Sequence, residues 1–409
     1  MSEKRTGNTG RHPPRVDSVE IEKLKALVAG EIETHRDQLR ELALRIHANP
    51  EPGFQEFQAA EWLTQYLEKN GFSVERGICQ LPTAFRASYG QGKPAIAFLA
   101  EYDALAGIGH ACGHNIIGTS SVGAALGTKP VVERCGGTIV VLGTPAEEGE
   151  GGKAIMANRG AFENLDVAMM IHPEDHDAAT AHALVCQTLE VEFLGKAAHA
   201  AARPESGVNA LEAMLLSFAA INALRQHIRS SARIHGIITD GGQAANVVPD
   251  HSAGSFMVRA RDDDYLDELE QKVINCFTSG ATATGAQLKY QWDEVRYASM
   301  RNNLTLAQLF QQNMRSLGRD PALGNPNASF GSTDMGNVSH LVPAIHPYVA
   351  IAPRGIQVHT TEFAAAAASE AGMKGMLDAA KALAMTAVDL LANREILTKI
   401  KEEFERGRQ

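Results

Sequence analysis

The spacing of hydrophobic positions changes along this chain, and each change marks a different kind of predicted element. Within residues 19–48, apolar side chains recur every three to four positions, which predicts helical structure up to the sequence NPEPG at 49–53. The stretch QEFQAAEWLTQYLEKNGF repeats this spacing and ends near an Asn-Gly pair, so it predicts a second amphipathic helix. The first part of the chain is therefore predicted to be helical.

Short apolar runs follow these helices and are separated by helical segments. The runs are AIAFLAEYDA, GTIVVLGTPA and VAMMIHP, each of a length that suits a buried strand. Buried strands that alternate with helices predict an α/β fold with a mainly parallel sheet, and they place a functional site at the strand ends.

The pattern changes near Cys186, where QTLEVEFLGKA alternates like a half-buried strand. A long helical segment, two strands, a second helical segment and the strand AQLKYQWDEV follow in that order. The order βαββαβ is the ferredoxin-like plan. We therefore predict a disordered tail at 1–18, an α/β domain formed by 19–185 and 298–409, and an inserted ferredoxin-like domain at 186–297.

Composition excludes several classes of function. The formal charge is −10, and no cluster of Lys and Arg stands against it, which argues against a nucleic-acid surface. No apolar run is long enough to span a bilayer, and the polar amino terminus has no signal-peptide core. The five scattered cysteines do not form a disulfide framework, so a cytoplasmic location is expected.

Metal-binding side chains are found at four places that are predicted to be strand ends or loops. These places hold Cys112 and His114, the pair Glu147 and Glu148, His172, and His359. A thiolate with imidazoles and carboxylates suits zinc, manganese or cobalt better than calcium or magnesium. Two metals with a shared ligand need about this many groups, and adjacent glutamates allow one to bind metal while the other moves protons.

Other interpretations of these residues stay open at this point. Cys112 is also compatible with a buried structural cysteine, or with a nucleophile paired with His114, although residues two apart do not face each other well. GEGG at 149–152 with Lys153 resembles a phosphate-binding loop only superficially, because the Walker spacing is absent. The pattern alone therefore indicates a metal site without identifying its chemistry.

Seven motifs in this chain occur in the order typical of the metal-dependent N-acyl-amino-acid amidohydrolases, the metallopeptidases related to aminoacylase and hippurate hydrolase. The motifs are RIHANPEPGFQEF, EYDALAGIGHACGHN, TPAEEGEGG, IHPED, GKAAHAAARPESGVNAL, ANVVPD and VHTTEF. The chain resembles this family from about residue 38 onward. It is most similar to the p-aminobenzoyl-glutamate hydrolase and β-alanyl-dipeptidase branch, to judge by the second motif.

The resemblance implies a metallopeptidase catalytic domain with two divalent metal ions per chain, zinc first and manganese or cobalt as alternatives. The implied metal ligands are Cys112, which would be shared, His114, Glu148, His172 and His359.

The same resemblance assigns roles to four more residues. Glu147 would be the general base, Asp103 would orient a ligand, and Asn246 is a candidate substrate contact. His199, in the inserted lid and dimerisation domain, would reach the partner subunit's active site and stabilise the oxyanion. A homodimer is therefore implied.

The expected function is hydrolysis of the amide bond in small N-acyl amino acids or dipeptides. Two departures from the commonest family pattern, Glu101 and Asn115, bear on substrate choice because both occur in the favoured branch. The alternatives are a dipeptidase of narrow specificity and a catalytically silent metal-binding or ligand-binding protein of the same fold. Loss of the base would indicate the silent protein, and Glu147 is present.

Overall fold

A computed structural model describes residues 17–324 and 331–407 of the chain. The predicted disordered tail at 1–18 lies almost entirely outside these residues. The first helix begins at Ser18, where the side chain of Asp17 accepts a hydrogen bond from the N–H of Glu20 and so caps the helix.

A six-stranded sheet forms the centre of the larger part of the molecule. Its strands, in spatial order, are β1 (Ser73–Arg76), β2 (Phe85–Gln91), β4 (Gly137–Gly143), β3 (Ala95–Ala100), β5 (Val167–Met169) and β11 (Ala344–Ile345). Three of the five neighbouring pairs are parallel, and the two pairs that involve β2 are antiparallel. Every residue of β3 is buried, as expected for a central strand covered on both faces.

Helices cover both faces of this sheet. They are α1 (Ser18–Thr34), α2 (Arg36–Ala48), α3 (Phe57–Lys69), α4 (His114–Cys135), α5 (Gly152–Asn158), α8 (Leu304–Ser316), α9 (Met335–Ser339), α10 (Thr361–Ala366), α11 (Glu370–Ala392) and α12 (Arg394–Arg406). Helix α4 packs closely because it carries glycines. A Cβ atom at Gly127 would lie only 2.6 Å from Cγ1 of Ile32. The helical structure predicted for 19–48 is two helices, and the ring of His35 at their junction hydrogen-bonds the hydroxyl of Tyr66.

A second, four-stranded sheet has its own hydrophobic core. Its spatial order is β10 (Gln287–Tyr297), β7 (Val185–Leu194), β9 (His251–Ala260) and β8 (Arg233–Asp240), with all neighbours antiparallel. Helices α6 (Ala210–Leu224) and α7 (Asp263–Thr284) pack on it around Phe193, Phe256 and Phe277. The chain order is βαββαβ, so the predicted ferredoxin-like insertion is confirmed. We call this unit the lid; the exact domain boundaries stay a prediction.

A two-stranded parallel sheet completes the part of the fold that positions the site. Strand β6 (His172–Glu174) pairs with β12 (Tyr348–Ala350), and Tyr348 lies opposite His172 in the register. Across the two described segments, we find no helix that combines the length and the apolar character needed to cross a membrane.

Candidate active site

The residues predicted to bind metal lie where strands give way to loops or helices. Cys112 lies in the loop between β3 and α4, and His114 is the first residue of α4. Glu147 and Glu148 follow β4, and His172 is the first residue of β6. The carboxyl ends of neighbouring parallel strands meet at one edge of a sheet, so these side chains converge there.

The structure brings the five predicted ligands into two groups that share one residue. The Sγ atom of Cys112 and a ring nitrogen each of His114 and His172 lie within 4.8 Å of one another. Cys112, a carboxylate oxygen of Glu148 and a ring nitrogen of His359 form a second group within the same limit. This is the arrangement expected of two cation sites with a common thiolate.

Hydrogen bonds orient the two buried histidines so that Nε2 is available as a ligand atom. Nδ1 of His114 donates to Oδ1 of Asp103 at 2.9 Å, and Oδ2 of Asp103 accepts from the backbone N–H of Glu148, also at 2.9 Å. Nδ1 of His172 donates to the carbonyl of Pro173 at 2.7 Å. Partners of this kind fix the tautomer of metal-binding histidines in general. Asp103 therefore contacts His114, as the resemblance implies for a residue that orients a metal ligand.

The donor atoms at this edge fit a pair of cations. Oε1 of Glu101 and Nε2 of His114 are buried without a hydrogen-bond partner and lie 3.1 Å apart. Because Nδ1 of His114 is hydrogen-bonded to Asp103, only a proton or another cation on Nε2 can satisfy both Nε2 and Oε1 of Glu101 across this short distance. Buried acceptors so arranged are stabilised by a cation.

Negative charge is also in excess around these atoms. The carboxyl groups of Glu101, Asp103, Glu147, Glu148 and Asp334 interact with one another or with His114 and Lys153. Lys153 places a positive charge among these carboxyl groups. Its Nζ donates to Oδ1 of Asp334 at 2.8 Å and also to Glu101. All three side chains of this ion triad are completely buried. Divalent cations at this edge would offset the remaining negative charge.

The protonation behaviour of the site separates the two glutamates. Burial raises the pKa of Glu147 well above its usual range, and the neighbouring charges of Glu101 and Asp334 raise it further. Burial also tends to raise the pKa of Glu148, but its hydrogen bond to His359 and the charge of His114 outweigh this effect and lower the pKa. Different environments for adjacent carboxyls suit one proton carrier and one ligand.

The thiol of Cys112 does not have the properties of a free nucleophile. Burial raises its pKa above the ordinary value, and the hydrogen bond to His114 does not offset the effect. A buried thiol is unreactive unless a metal ion takes the place of its proton. This observation argues against thiol catalysis.

Two non-glycine residues beside the ligands have left-handed backbone conformations. Ala146, which precedes the glutamate pair, has φ of 58°, and His359 has φ of 65°. Such conformations cost free energy and are found preferentially at functional sites. Glu147, which follows Ala146, and His359 both line the same cavity.

A cavity of about 340 Å³ opens above the candidate ligands and is lined by both parts of the molecule. Glu174, His346 and Tyr348 line it from the larger part, and Arg259 lines it from the lid. Nε of Arg259 is buried without a hydrogen-bond partner, and no carboxylate of the described segments forms an ion pair with this guanidinium. A larger cavity of about 640 Å³, between α5 and the lid, contains none of the candidate ligands.

Sequence reasoning did not identify Glu174, Asp334, His346 or Tyr348. One signal was present for His346, because the tripeptide Ile-His-Pro occurs twice, once around His172 and once around His346. The two copies are adjacent in space, since the N–H of His172 donates to the carbonyl of Pro347 at 2.8 Å.

His199 and Asn246 lie together on the lid, but the structure does not bring them to the ligands of the same chain. Both are exposed, and neither lines the cavity above the candidate ligands. They are neighbours, because the carbonyl of Asn246 accepts from the N–H of Ala200 at 3.0 Å. Nδ1 of His199 accepts from the N–H groups of Ala201 and Ala202, which leaves Nε2 directed away from the local backbone.

Comparison with known proteins identifies the family. The chain is 38% identical to the mouse Xaa-Arg dipeptidase over 96% of its own length and 94% of that protein. It is 31% identical to one of the subunits of the Escherichia coli p-aminobenzoyl-glutamate hydrolase, over 91% of this chain and 93% of that subunit. The family described as "Peptidase dimerisation domain", of the M20 peptidases, matches residues 187–283. The chain belongs to the M20 peptidase family.

A solved structure supports the fold at lower sequence identity. A Bacillus subtilis protein, described as a dinuclear metal binding peptidase from the M20 family, has a TM-score of 0.69 and 19% identity to this M20 peptidase. The match covers 88% of this chain and 99% of that one. This structure supports the fold, and the two relatives above confirm the resemblance and the predicted class of amide-hydrolysing enzyme.

Proposed function

We propose that this protein is a two-metal dipeptidase that cleaves the amide bond of a small substrate with a free carboxylate. The observation that carries the proposal is the membership of Cys112 in two groups of ligand atoms, at a cavity that Glu147 and residues of both domains also line. A single shared thiolate places two cations close together, which is the arrangement used for metal-assisted hydrolysis.

Cys112, His114 and His172 would hold one ion, and Cys112, Glu148 and His359 would hold the other. A set of one thiolate, three imidazoles and one carboxylate favours zinc, and manganese or cobalt can occupy the same set. When bound, such ions polarise the scissile carbonyl and acidify water at the site. Asp103 accepts a hydrogen bond from Nδ1 of His114 and so fixes the tautomer in which Nε2 is the ligand atom.

Glu147 is assigned as the general base. It removes a proton from the attacking water and delivers that proton to the leaving nitrogen. This double transfer needs a carboxylate that has a raised pKa and is in contact with the cavity. Burial and the negative charges of Glu101 and Asp334 provide such a pKa. Glu148 has its pKa lowered by His359 and is suited to remain ionised as a ligand.

Arg259 is assigned to the substrate carboxylate. Its guanidinium lines the cavity, and its Nε has no partner, so a carboxylate of the substrate would satisfy both its charge and its donors. Dipeptides that end in arginine and p-aminobenzoyl-glutamate, which the names of two relatives specify, both carry a carboxylate close to the amide bond. A substrate of this type is therefore proposed here.

The active unit is proposed to be a homodimer formed through the lid. Strand β8 is an edge of the lid sheet, and Ile237 and Ile238 on it are 65% and 37% exposed. Leu215 and Leu216 on α6 add more exposed apolar surface, and an apolar edge of this kind is typically covered by a partner. In such a dimer His199 and Asn246 would serve the partner subunit's site, with His199 as oxyanion donor.

A reducing cytoplasm is the proposed location, because all five cysteines are unpaired and one is a ligand.

The test combines metal content with hydrolysis. The purified protein would be analysed for metal per chain, then assayed before and after chelation on arginine dipeptides, p-aminobenzoyl-glutamate and N-acyl amino acids. Two ions per chain and chelator-sensitive cleavage support the proposal. Stoichiometric metal without cleavage of any substrate would favour the silent binding protein, and the absence of bound metal would refute the two-metal assignment.

A further inference from the structure

The first of the seven family motifs, RIHANPEPGFQEF, contains no residue that the proposed reaction uses. We propose that Glu56, in this motif, is a positioning residue that holds Glu147 in the orientation needed for proton transfer. It acts through a hydrogen bond to the backbone N–H of Ala146, the residue before Glu147. This inference rests on the proposed function, because it takes Glu147 to be the general base.

The carboxyl group of Glu56 joins two segments that are far apart in sequence. Oε1 of Glu56 accepts from the N–H of Ala146 at 2.8 Å, and Oε2 accepts from the hydroxyl of Thr83 at 2.9 Å. The hydroxyl of Tyr102 donates to the carbonyl of Thr83 and anchors this end of the network. All four residues are buried, so water does not compete for these hydrogen bonds. The direction of the Glu56 side chain is therefore fixed at both oxygens.

Ala146 has a backbone conformation that needs support from its surroundings. Its φ of 58° lies in the left-handed region, which residues with a Cβ atom rarely adopt and which persists where neighbouring contacts enforce it. Glu56 binds the N–H of Ala146, and the carbonyl of Ala146 accepts from the N–H of Gly152 at 3.0 Å. A return of Ala146 to an ordinary conformation would redirect the chain at Glu147. We therefore expect the bond from Glu56 to determine where the Glu147 carboxyl lies.

The motif also packs closely against the Glu147 loop, which comprises residues 144–151 between β4 and α5. A Cβ atom at Gly53 would lie 3.0 Å from Cβ and 3.2 Å from Cα of Ala146. The lack of a side chain at Gly53 thus permits the close approach that brings Glu56 within reach of the loop. The motif supports the loop by one close backbone approach and one hydrogen bond.

Two buried carboxyl groups bind the two chain neighbours of Glu147. Asp103 accepts from the N–H of Glu148, the residue assigned as a metal ligand, and Glu56 accepts from the N–H of Ala146. Glu56 belongs to no ligand group found within 17–324 and 331–407, and it is not among the described residues that line the cavity. Its effect on the reaction is therefore indirect, through the residue that follows Ala146.

A field effect of the Glu56 charge is the competing explanation. Burial and the neighbouring charges of Glu101 and Asp334 raise the pKa of Glu147. Burial also raises the pKa of Glu56, to about 7, and the charge of Asp103 acts in the same direction. Glu56 is therefore partly protonated at neutral pH. Its role is better explained by its hydrogen bonds than by a full negative charge.

Two substitutions of Glu56 separate reach from charge. Glu56→Gln keeps the length of the side chain and an acceptor for the N–H of Ala146, and its amide can donate to Thr83, but it has no charge. Glu56→Asp keeps the carboxyl group but is shorter by one methylene group, which withdraws the acceptor from Ala146. The assay uses the holoenzyme and whichever arginine dipeptide or p-aminobenzoyl-glutamate substrate the wild type cleaves.

Turnover is expected to follow reach. For Glu56→Gln, kcat should stay within about threefold of wild type, whereas for Glu56→Asp it should fall at least about thirtyfold with KM changed less than about threefold, as a misplaced reacting group predicts. Metal content per chain should equal that of the wild type in both variants, because Asp103 still binds the N–H of Glu148.

Glu51→Asp is the matched control. Glu51 belongs to the same motif, and its carboxylate accepts from the N–H groups of Gln58 and Ala59 at the start of α3 rather than from the Glu147 loop. The same loss of one methylene group should lower stability in urea but leave kcat within about threefold of wild type. This control separates a general loosening of the motif from misplacement of Glu147.

A double-mutant cycle tests whether Glu56 acts through Glu147. In a Glu147→Gln background, Glu56→Asp should lower the residual turnover less than about threefold, because the base that it positions is already missing. A loss equal to that in the wild-type background would show that Glu56 acts elsewhere and would overturn the inference.

The other outcomes separate this inference from the proposed function. Wild-type turnover in Glu56→Asp, an equal loss in Glu51→Asp, or a loss in Glu56→Gln each overturns the positioning role and leaves amide hydrolysis intact. The last of these results decides the matter even if Glu56→Asp does not fold. Loss of metal in Glu56→Asp would assign Glu56 to the support of the ligand Glu148 instead. Full turnover in Glu147→Gln, or a wild type that cleaves no amide substrate, refutes the proposed function itself.

Discussion

Replacement of Lys153 by methionine isolates the contribution of the buried cation in the ion triad. Lys153 lies between Glu101 and Asp334, and all three residues are 0% exposed. Methionine has a similar length and no charge, so the substitution leaves two carboxylates without their cation and with little change in packing. Asp334 also accepts from the backbone N–H of residue 153 at 2.7 Å, and this bond does not depend on the side chain.

The expected loss of stability follows from this burial. Removal of one partner from a buried ion pair costs about 3–5 kcal/mol, because the remaining charge is left without compensation. Burial already raises the pKa of Asp334 to about 6 although Lys153 acts to lower it, so loss of the lysine will raise this pKa further. A carboxyl group whose pKa is higher in the folded than in the unfolded state favours folding at low pH, and this contribution is lost as the pH rises through the folded pKa. The deficit of Lys153→Met should therefore be largest above about pH 7 and smaller near about pH 5.

Urea unfolding of the chelated protein measures this deficit without the stabilisation that bound metal adds. The chain has two tryptophans, Trp62 on α3 and Trp292 on β10, so a Trp292→Phe background leaves a fluorescence reporter in the larger domain. Lys25→Met is the control, because Nζ of Lys25 pairs with one buried carboxylate, Asp389, at 2.8 Å and with the exposed Glu22 at 3.5 Å, and its side chain keeps 11% exposure. A loss below about 1 kcal/mol for Lys153→Met at neutral pH, or a loss that does not change between about pH 7 and 5, would refute this account of the triad.

Three further substitutions test the proposed site. Glu147→Gln should retain both metal ions and lower kcat by about a hundredfold to ten-thousandfold, as expected for loss of a general base; retained turnover would remove Glu147 from that role. His199→Ala should lower kcat about a hundredfold, and mixing it with the Glu147→Gln protein should restore activity, because each mixed dimer contains one site with both residues intact. If exchange of subunits restores nothing, His199 does not act across the dimer. Cys112→Ser should reduce the metal content measured after dialysis, and unchanged occupancy would show that the thiolate is not a ligand.

Local patterns identified most of the elements and most of the candidate ligands. The βαββαβ order of the lid could be predicted, because strand alternation and helical spacing are properties of neighbouring residues. The break at His35 and the antiparallel placement of β2 could not. The first coincides with a tertiary contact between His35 and Tyr66, and the second depends on which strands meet in the sheet.

Lys153 shows how local similarity can mislead. In sequence it follows a glycine-rich stretch and superficially suggests a phosphate loop, whereas in the structure it is a completely buried cation between two carboxylates. Its partner Asp334 is 181 residues away along the chain, and no local pattern connects them.

The sequence by itself determined the fold class, the family and the types of side chain available for metal chemistry, because hydrophobic periods and ordered motifs act over short distances. Tertiary structure alone decided which of these groups meet. It placed Cys112 in two ligand groups, directed Nε2 of His114 toward Glu101, and brought His346 beside His172 through the pairing of β6 with β12. Strand pairing joins segments that are far apart in sequence, and so the depth of burial, the unpartnered atoms and the charge balance of the site exist only in the folded chain.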